Sequence, residues 1–408
     1  TYTNNLYKFE GKNDYEELMK IKKGEIEGIN QEFLEELEKN YILVDDDDKL
    51  AQKIRLARLA TRFTSTRMNL TIAPTTACNF ACPYCYEENA PAKRIMTEKV
   101  EDDIVNLIKA YKGLKRINVD WYGGEPLMAF DVIKRLTKKI LELPIPNYRA
   151  LIVTNGYLLD EEKIKQLKDL RIDRIQITID GLEDTHNKRR PHKTQNDSFK
   201  VITKNLQRLY ELYPEVETNI RVNLDKENAE EFFELDTYLH KIIDSPNMNA
   251  YPAYITEYNP CKESFCMLNR FEQARFALDH KERYPFARMY YPSTKIGECI
   301  ARFQNSYVIG PEGEFYKCWC DVGDPQKVIG NVTKGITNSD LYVQYMVEQD
   351  PLFDQKCIAC NLFPICNGGC TFRRLKYKNS TQLEDLCAVQ KDHMEDFIKY
   401  FNKVAKQQ

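Results

Sequence analysis

The chain has 408 residues, 42% of them apolar, and a net charge of −3 from 59 basic and 62 acidic side chains. That apolar share builds a full-sized core and excludes global disorder, while the near-balanced charge excludes the basic excess that a nucleic-acid binder needs. The length suggests about two or three domains, and without a run of about 18 apolar residues no membrane span is expected.

Residues 1–66 read as a small α+β module: a strand at 7–9, helices at 15–22 and 31–38, a strand at 41–44 and a helix at 51–62. Four successive aspartates, Asp45 to Asp48, precede the last helix, where the macrodipole favours negative charge. From 67 to 256, strand and helix patterns alternate. Strands fall at 69–72, 117–121, 150–153, 174–179, 219–223 and 250–255, with amphipathic helices at 100–111, 132–141, 161–170, 199–212 and 230–242. Such alternation argues for an α/β fold of parallel strands joined by right-handed crossovers. A bridging region, 257–298, carries a helix at 270–283. A cysteine-rich region, 299–408, closes on an amphipathic helix at 389–403.

The 13 cysteines are an odd count in a Lys/Glu-rich chain whose first residues show no signal-peptide pattern. Reduced thiols acting as metal ligands in a cytoplasmic, oxygen-poor setting are therefore expected, rather than a disulfide framework. Ten of the 13 fall into two patterns. The first, Cys78, Cys82 and Cys85, has the spacing C-x3-C-x2-C. Three soft thiolates this close can hold three irons of a 4Fe–4S cube, leaving the fourth iron open to a small molecule. The trio directly follows the first strand of the alternating region, and in parallel barrels chemistry sits in loops at strand C-termini. A zinc site is the alternative. Zinc takes four ligands, commonly as paired cysteine and histidine sets, and none of His186, His192, His240, His280 and His393 lies near the trio.

Further motifs each follow a predicted strand: Gly123-Gly124-Glu125-Pro126 the second, Thr154-Asn155-Gly156 the third, and Thr178-Ile179-Asp180-Gly181 the fourth. Taken singly, the first two are turns, Asn-Gly being a frequent turn dipeptide. The basic stretch from His186 to Arg190, and Arg221 on the fifth strand, offer cations suited to a bidentate carboxylate pair; a solvated basic run is the alternative.

The C-x3-C-x2-C spacing, with Tyr84 just before the last cysteine, resembles the signature of the radical S-adenosylmethionine (SAM) superfamily. The resemblance implies a partial (β/α)6 TIM-type barrel. It also implies that SAM chelates the open iron and is split to methionine and a 5′-deoxyadenosyl radical, which takes a hydrogen atom from the substrate. Cys78, Cys82 and Cys85 would hold this cluster. Gly123, Gly124 and Glu125 would receive the SAM amino group, and Tyr84 would pack at the adenine. Asn155 would lie on the cofactor side. Thr178 and Asp180 would approach ribose and substrate, and Arg190 or Arg221 the SAM carboxylate.

The second pattern is Cys299, then Gly313-x4-Cys318, then Cys357, Cys360, Cys366 and Cys370, then Cys387. It resembles the seven-cysteine SPASM domain of radical SAM enzymes that modify peptides and proteins, which holds one or two auxiliary 4Fe–4S clusters. Carried over by position, Cys357, Cys360, Cys366 and Cys387 would hold the distal cluster, and Cys299, Cys318 and Cys370 the proximal one. Some members add a cysteine shortly before the first, but residues 293–298 contain none. Cys261, Cys266 or Cys320 would then supply the fourth ligand, or the iron stays open. A zinc ribbon of Cys357, Cys360, Cys366 and Cys370 leaves the others unexplained.

Together the resemblances imply an enzyme that modifies a ribosomally made precursor peptide, foremost by thioether cross-linking, with electrons from a flavodoxin or ferredoxin. Alternatives are a C–C or C–O peptide cyclase, an epimerase, an anaerobic sulfatase-maturating enzyme that makes formylglycine, and a non-catalytic zinc scaffold. Residues 1–66 would serve as an accessory module for the peptide leader. No nucleic-acid or membrane partner is expected.

Overall fold

The computed structural model describes residues 7, 11–87, 93–256, 267–297, 299–377 and 386–405. They form two compact units: one of Thr1–Arg62, Gln273–Glu298 and Gln349–Gln408, the other of Phe63–Glu272 and Cys299–Glu348.

The first unit begins with three helices, α1 (Lys12–Lys22), α2 (Gln31–Lys39) and α3 (Asp47–Arg62). Asn30 caps α2 by accepting from the amides of Glu32 and Phe33. The strand expected at 41–44 is absent. Tyr41 turns left-handed at φ 55°, and the amides of Ile42 and Leu43 both donate to the Leu37 carbonyl, at 2.8 and 3.2 Å. The helix end thereby takes up backbone donors that a sheet would need. Of the strand expected at 7–9, Tyr7 is not in a strand, and residues 8–10 lie outside the described residues. The aspartate run does start α3, since Asp46 Oδ1 accepts from the amides of Asp48 and Lys49.

One face of α3 is buried. Ile54 packs with Leu352 and Phe363. Arg62 and Asp350 form a buried ion pair, an arrangement in which losing one partner would strand the other charge. Arg58, fully buried, donates from Nε to the Lys295 carbonyl at 2.9 Å, and from its second terminal nitrogen to Phe363, Pro364 and Cys366 carbonyls. α3 and the segment 352–366 thus share one core.

In the second unit, six parallel strands alternate with helices. These are β1 (Arg67–Ile72), α4 (Glu98–Ala110), β2 (Arg116–Trp121), α5 (Phe130–Leu141), β3 (Asn147–Thr154), α6 (Glu161–Gln166), β4 (Ile172–Thr178), α7 (Glu183–Arg189), α8 (Ser198–Leu212), β5 (Glu217–Leu224), α9 (Phe232–Ile242) and β6 (Met248–Tyr254). The strands are rich in Ile, Val and Thr, and the helices lay apolar stripes on them: Ile104 and Ile108 from α4, Ile133, Leu136 and Ile140 from α5, Ile202, Leu206 and Leu209 from α8. Each such side chain contributes about 1.5–3 kcal/mol by leaving water. The barrel is partial. β6 pairs only with β5 among the described residues, and the outer edge of β1 is taken by β7 (Ser306–Ile309), which runs parallel to it. From β7, β8 (Glu314–Tyr316), β9 (Gly330–Asn331) and β10 (Gly335–Ile336) extend the same sheet antiparallel. Two elements differ from expectation: α6 stops at Gln166, and the basic stretch at 186–190 lies largely within α7. No helix among the described residues is long and apolar enough to cross a membrane.

Candidate active site

The cysteine loop leaves the C-terminal end of β1 and is held by backbone contacts that only glycine permits. The amides of Gly124 and Glu125 donate to the carbonyls of Thr75 and Ala77, at 3.1 and 2.8 Å. A Cβ on Gly124 would lie 2.3 Å from the Ala77 oxygen; one on Gly123, at φ 115°, would lie 2.5 Å from the Thr75 oxygen. The Gly-Gly pair after β2 is thus explained locally by the close passage of the cysteine loop over it.

Glu125 is buried and its carboxylate accepts three hydrogen bonds. One oxygen accepts from the Leu127 amide at 3.0 Å and Thr154 Oγ1 at 2.7 Å, the other from the Asn155 amide at 2.8 Å. Burial pushes its carboxyl upward, and these bonds pull it back. Asn155 extends the chain of contacts, its side-chain amide donating to Asn79 Oδ1 in the cysteine loop at 2.8 Å. The loop's other flank pairs with residues after α7: Ala81 N donates to Pro191 O, and Lys193 N to Asn79 O. Phe80, Tyr157 and His192 pack as a ring cluster beside it.

At the ends of β4 and β5 a second network forms. The Tyr84 hydroxyl donates to Asp180 Oδ2 and accepts from Arg190 at 2.8 Å and Asn223 at 3.4 Å. Asp180 Oδ1 accepts from the Asn223 amide at 2.9 Å. The Asp180 amide donates to His186 Nδ1 at 3.2 Å, so the ring is held as an acceptor there. Burial, then the Arg190 charge, holds His186 well below the usual imidazole range. The two neighbouring arginines separate clearly. Arg189 pairs with Asp225 at 2.7 Å. Arg190 instead lies against Cys82 and Tyr84, and its Nε has no hydrogen-bond partner among the described residues. Arg221 donates to Asn223 Oδ1 at 2.8 Å, one bond removed from Tyr84. Thr178 ends β4 beside it.

Burial pushes the Cys78 and Cys85 thiols up to about 12, and Cys82 upward as well; Glu125 adds to the first and Glu87 to the second. The Cys78 thiol also feels both other thiols. Three neighbouring, desolvated thiols need positive charge to become thiolates, which bound iron provides. The donor set fits a soft-metal cluster. Among the described residues no three His, Cys, Asp or Glu side chains sit at single-ion ligand spacing, so the assignment rests on donor chemistry, proximity and place in the barrel. Beyond Cys85, Tyr86 and Tyr122 join hydroxyl to hydroxyl, and Tyr122 stacks on Trp319 at 5.7 Å. Burial pushes the Glu87 carboxyl up to about 8.

The second cysteine pattern is divided between the units. In the barrel unit, the Cys299 thiol feels that of Cys318. In the other unit, three of the four cysteines that resemblance gives to a distal cluster already receive N–H donors on sulfur. Arg374 reaches Cys357 at 3.8 Å, the Gly368 amide Cys366 at 3.3 Å, and Lys391 Cys387 at 3.5 Å. Such donors favour thiolate and tune cluster potential. Cys261 and Cys266 lie outside the described residues.

The site is thus a thiol trio on the first loop of a parallel partial barrel, ringed by strand-end polar groups and one cation with an unspent donor. The Radical SAM superfamily model matches residues 72–239, and those residues belong to that superfamily; SAM and iron–sulfur clusters are its cofactors. Among curated proteins, a GTP 3′,8-cyclase of Chlorobaculum tepidum is 30% identical over 153 residues, 37% of this chain and 43% of that protein. The chain thus spans under half the length of that relative. The serine-type anaerobic sulfatase-maturating enzyme of Klebsiella aerogenes is 22% identical over 315 residues, 72% of this chain and 77% of its own. Two solved structures share the fold. Native anSMEcpe with bound AdoMet and Kp18Cys peptide has a TM-score of 0.64 at 19% identity, covering 83% of this chain and 98% of that one. Streptococcus suis SuiB bound to precursor peptide SuiA has 0.53 at 18%, covering 88% and 85%.

The structure thus gathers Cys78, Cys82, Cys85, Tyr84, Gly123, Gly124, Glu125, Asn155, Thr178, Asp180 and Arg190 around one loop, with Arg221 at its edge. Sequence reasoning missed Asn79 and Asn223, and took His186 only as part of a basic stretch. Only their adjacency to motif residues marks them in the sequence.

Proposed function

We propose that this chain is a radical SAM peptide maturase that joins a cysteine sulfur to a carbon of another residue in a ribosomally made precursor. The observation that supports the SAM chemistry best is Arg190: a buried guanidinium against Cys82 with an unspent Nε, suited to a carboxylate. When bound, the cluster and SAM supply the hydrogen-abstracting radical. Tyr84, Asp180 and Asn223 orient Arg190. Gly123 and Gly124 let the cysteine loop close over β2, Glu125 braces that loop, and the three residues together receive the SAM amino group. Residues 67–256 carry the radical chemistry. Residues 299–408 carry the auxiliary clusters through Cys299, Cys318, Cys357, Cys360, Cys366, Cys370 and Cys387, and residues 1–66 serve the peptide. The setting is cytoplasmic and the electron donor a flavodoxin or ferredoxin.

The sulfatase-maturase reading is the second, favoured by the Klebsiella aerogenes relative, which is matched over 77% of its length. Mass spectrometry separates the two. Reconstituted enzyme, SAM and dithionite are incubated without oxygen with a cysteine-containing peptide encoded beside its gene, and separately with a sulfatase peptide. Loss of two hydrogens with cysteine protected from alkylation supports the thioether. A hydrazide-reactive aldehyde on the sulfatase peptide alone overturns it.

A further inference from the structure

Trp319 is 41% exposed, whereas Trp121, the chain's other tryptophan, is fully buried. Single exposed apolar side chains are ordinary on a protein surface, but this one is tied to the site. Its indole stacks on the Tyr122 ring at 5.7 Å and an interplanar angle of 21°. Tyr122 stands between the end of β2 and the Gly123-Gly124 pair, and its amide donates to the carbonyl of Ile72, the last residue of β1, at 2.9 Å. The Tyr122 and Tyr86 hydroxyls bond to each other, and Tyr86 directly follows Cys85. Three rings of the barrel unit therefore run in one line of contacts from the cysteine loop out to solvent. The outermost ring is held in place. It sits on the tight turn Trp319–Asp321, closed by the Asp321 amide donating to the Cys318 carbonyl at 3.1 Å, and buried Asp321 accepts from Tyr345 at 2.5 Å. A rigid aromatic side chain loses little freedom when it is covered, which is one reason Trp and Tyr dominate binding hot spots. One residue on from Tyr86, the Glu87 carboxylate has a buried oxygen with no hydrogen-bond partner among the described residues. A peptide N–H would satisfy such an acceptor.

We propose that Trp319 is a substrate-binding residue: its exposed face, backed by Tyr122, takes an aromatic or aliphatic side chain of the substrate peptide close in sequence to the residue being modified. The inference rests on the peptide-maturase reading above and deepens it. It applies to a thioether and a formylglycine product alike, since either peptide must come to the strand ends that carry the cysteine loop. Substrate choice is then set by the size and polarity of the residue laid on the indole, and not by the reacting cysteine alone.

The test reads binding separately from product. Full-length holoprotein is purified without oxygen as wild type, Trp319→Ala and Trp319→Phe. Each is titrated, by fluorescence anisotropy, against the labelled cysteine peptide encoded beside the gene and against a labelled sulfatase peptide. Alanine replacements then scan the apolar residues of whichever peptide binds. In parallel, wild-type holoprotein with and without saturating peptide is labelled by photolysed diazirine, and label on Trp319 is mapped by mass spectrometry with buried Trp121 as the internal reference. The expected result is that Trp319→Ala weakens binding by about tenfold or more and Trp319→Phe by less. One peptide replacement should weaken wild-type binding as much, and cost nothing further in Trp319→Ala. Bound peptide should remove most of the label from wild-type Trp319. Binding within about twofold of wild type, in a Trp319→Ala protein that keeps its iron, would overturn the inference. So would equal label on Trp319 with and without bound peptide, a comparison that stands even if neither variant folds. Wild type that binds neither peptide overturns the maturase reading as well, whereas wild type that modifies a peptide while Trp319 stays equally labelled overturns this inference alone.

Discussion

Replacing Glu125 by glutamine tests the brace beneath the cysteine loop most directly. The carboxylate takes two donors on one oxygen, at 3.0 and 2.7 Å, and one on the other, at 2.8 Å. Glutamine keeps a single oxygen. Its best placement is where two donors converge, which turns its NH2 group toward the Asn155 amide. One buried donor is then left unpaired, at about 1–3 kcal/mol. The two surviving bonds lose their charge assistance, about 1 kcal/mol each. Against this, removing a buried charge relieves the desolvation that pushes this carboxyl upward. The net expectation is about 2 kcal/mol, or about 4–8 °C in melting temperature for a unit of this size. Because Asn155 leads on to Asn79 in the cysteine loop, the same change should also lower iron retained by Cys78, Cys82 and Cys85. The assay is anaerobic thermal unfolding at matched protein concentration, followed by iron determination. A melting temperature within about 1 °C of wild type would refute the reasoning, since it would mean that no charged acceptor is needed there.

Two further outcomes are expected. Gly124→Ala would place a methyl group 2.3 Å from the Ala77 oxygen, with backbone rather than a yielding side chain opposite it. The loop must then move, and the variant should keep its far-ultraviolet circular dichroism but lose about four irons; full iron content would refute the close approach. For His186, burial depresses the folded-state pKa, so only the unfolded chain takes up its proton near pH 6.5. The unfolded state then binds more protons below that pH, and stability falls by up to about 1.4 kcal/mol per pH unit on acidification. His186→Asn keeps an acceptor for the Asp180 amide without titrating. Its melting temperature should therefore fall less steeply than wild type between about pH 6.5 and 5, and parallel slopes would count against a buried neutral imidazole.

Much of the barrel was legible because period-2 and period-3.6 patterns are local. All six expected parallel strands are present, each within a few residues of its expected ends. The cysteine loop was legible for the same reason, since three thiols within eight residues need no long-range contact to be recognised. Local pattern misled at 41–44. There Tyr-Ile-Leu-Val has strand composition, but the end of α2 captured the amides first. It also gave no element to α7, whose polar sequence lacks an apolar stripe. His186 and Arg189 are nonetheless buried, held by partners from neighbouring strands and turns.

Residue type and spacing alone put three thiols on one loop, set out a further cysteine array, and placed Gly123 and Gly124 where backbones had to touch. Tertiary structure decided which partner each side chain meets. It alone separated Arg189, satisfied by Asp225, from Arg190, which retains an unspent donor beside Cys82. It also set the Glu125 carboxylate against the Asn155 amide, whose side chain leads on to Asn79 in the cysteine loop. The physical reason is that hydrogen-bond satisfaction and burial depend on groups far apart in the chain, which the fold must first bring together.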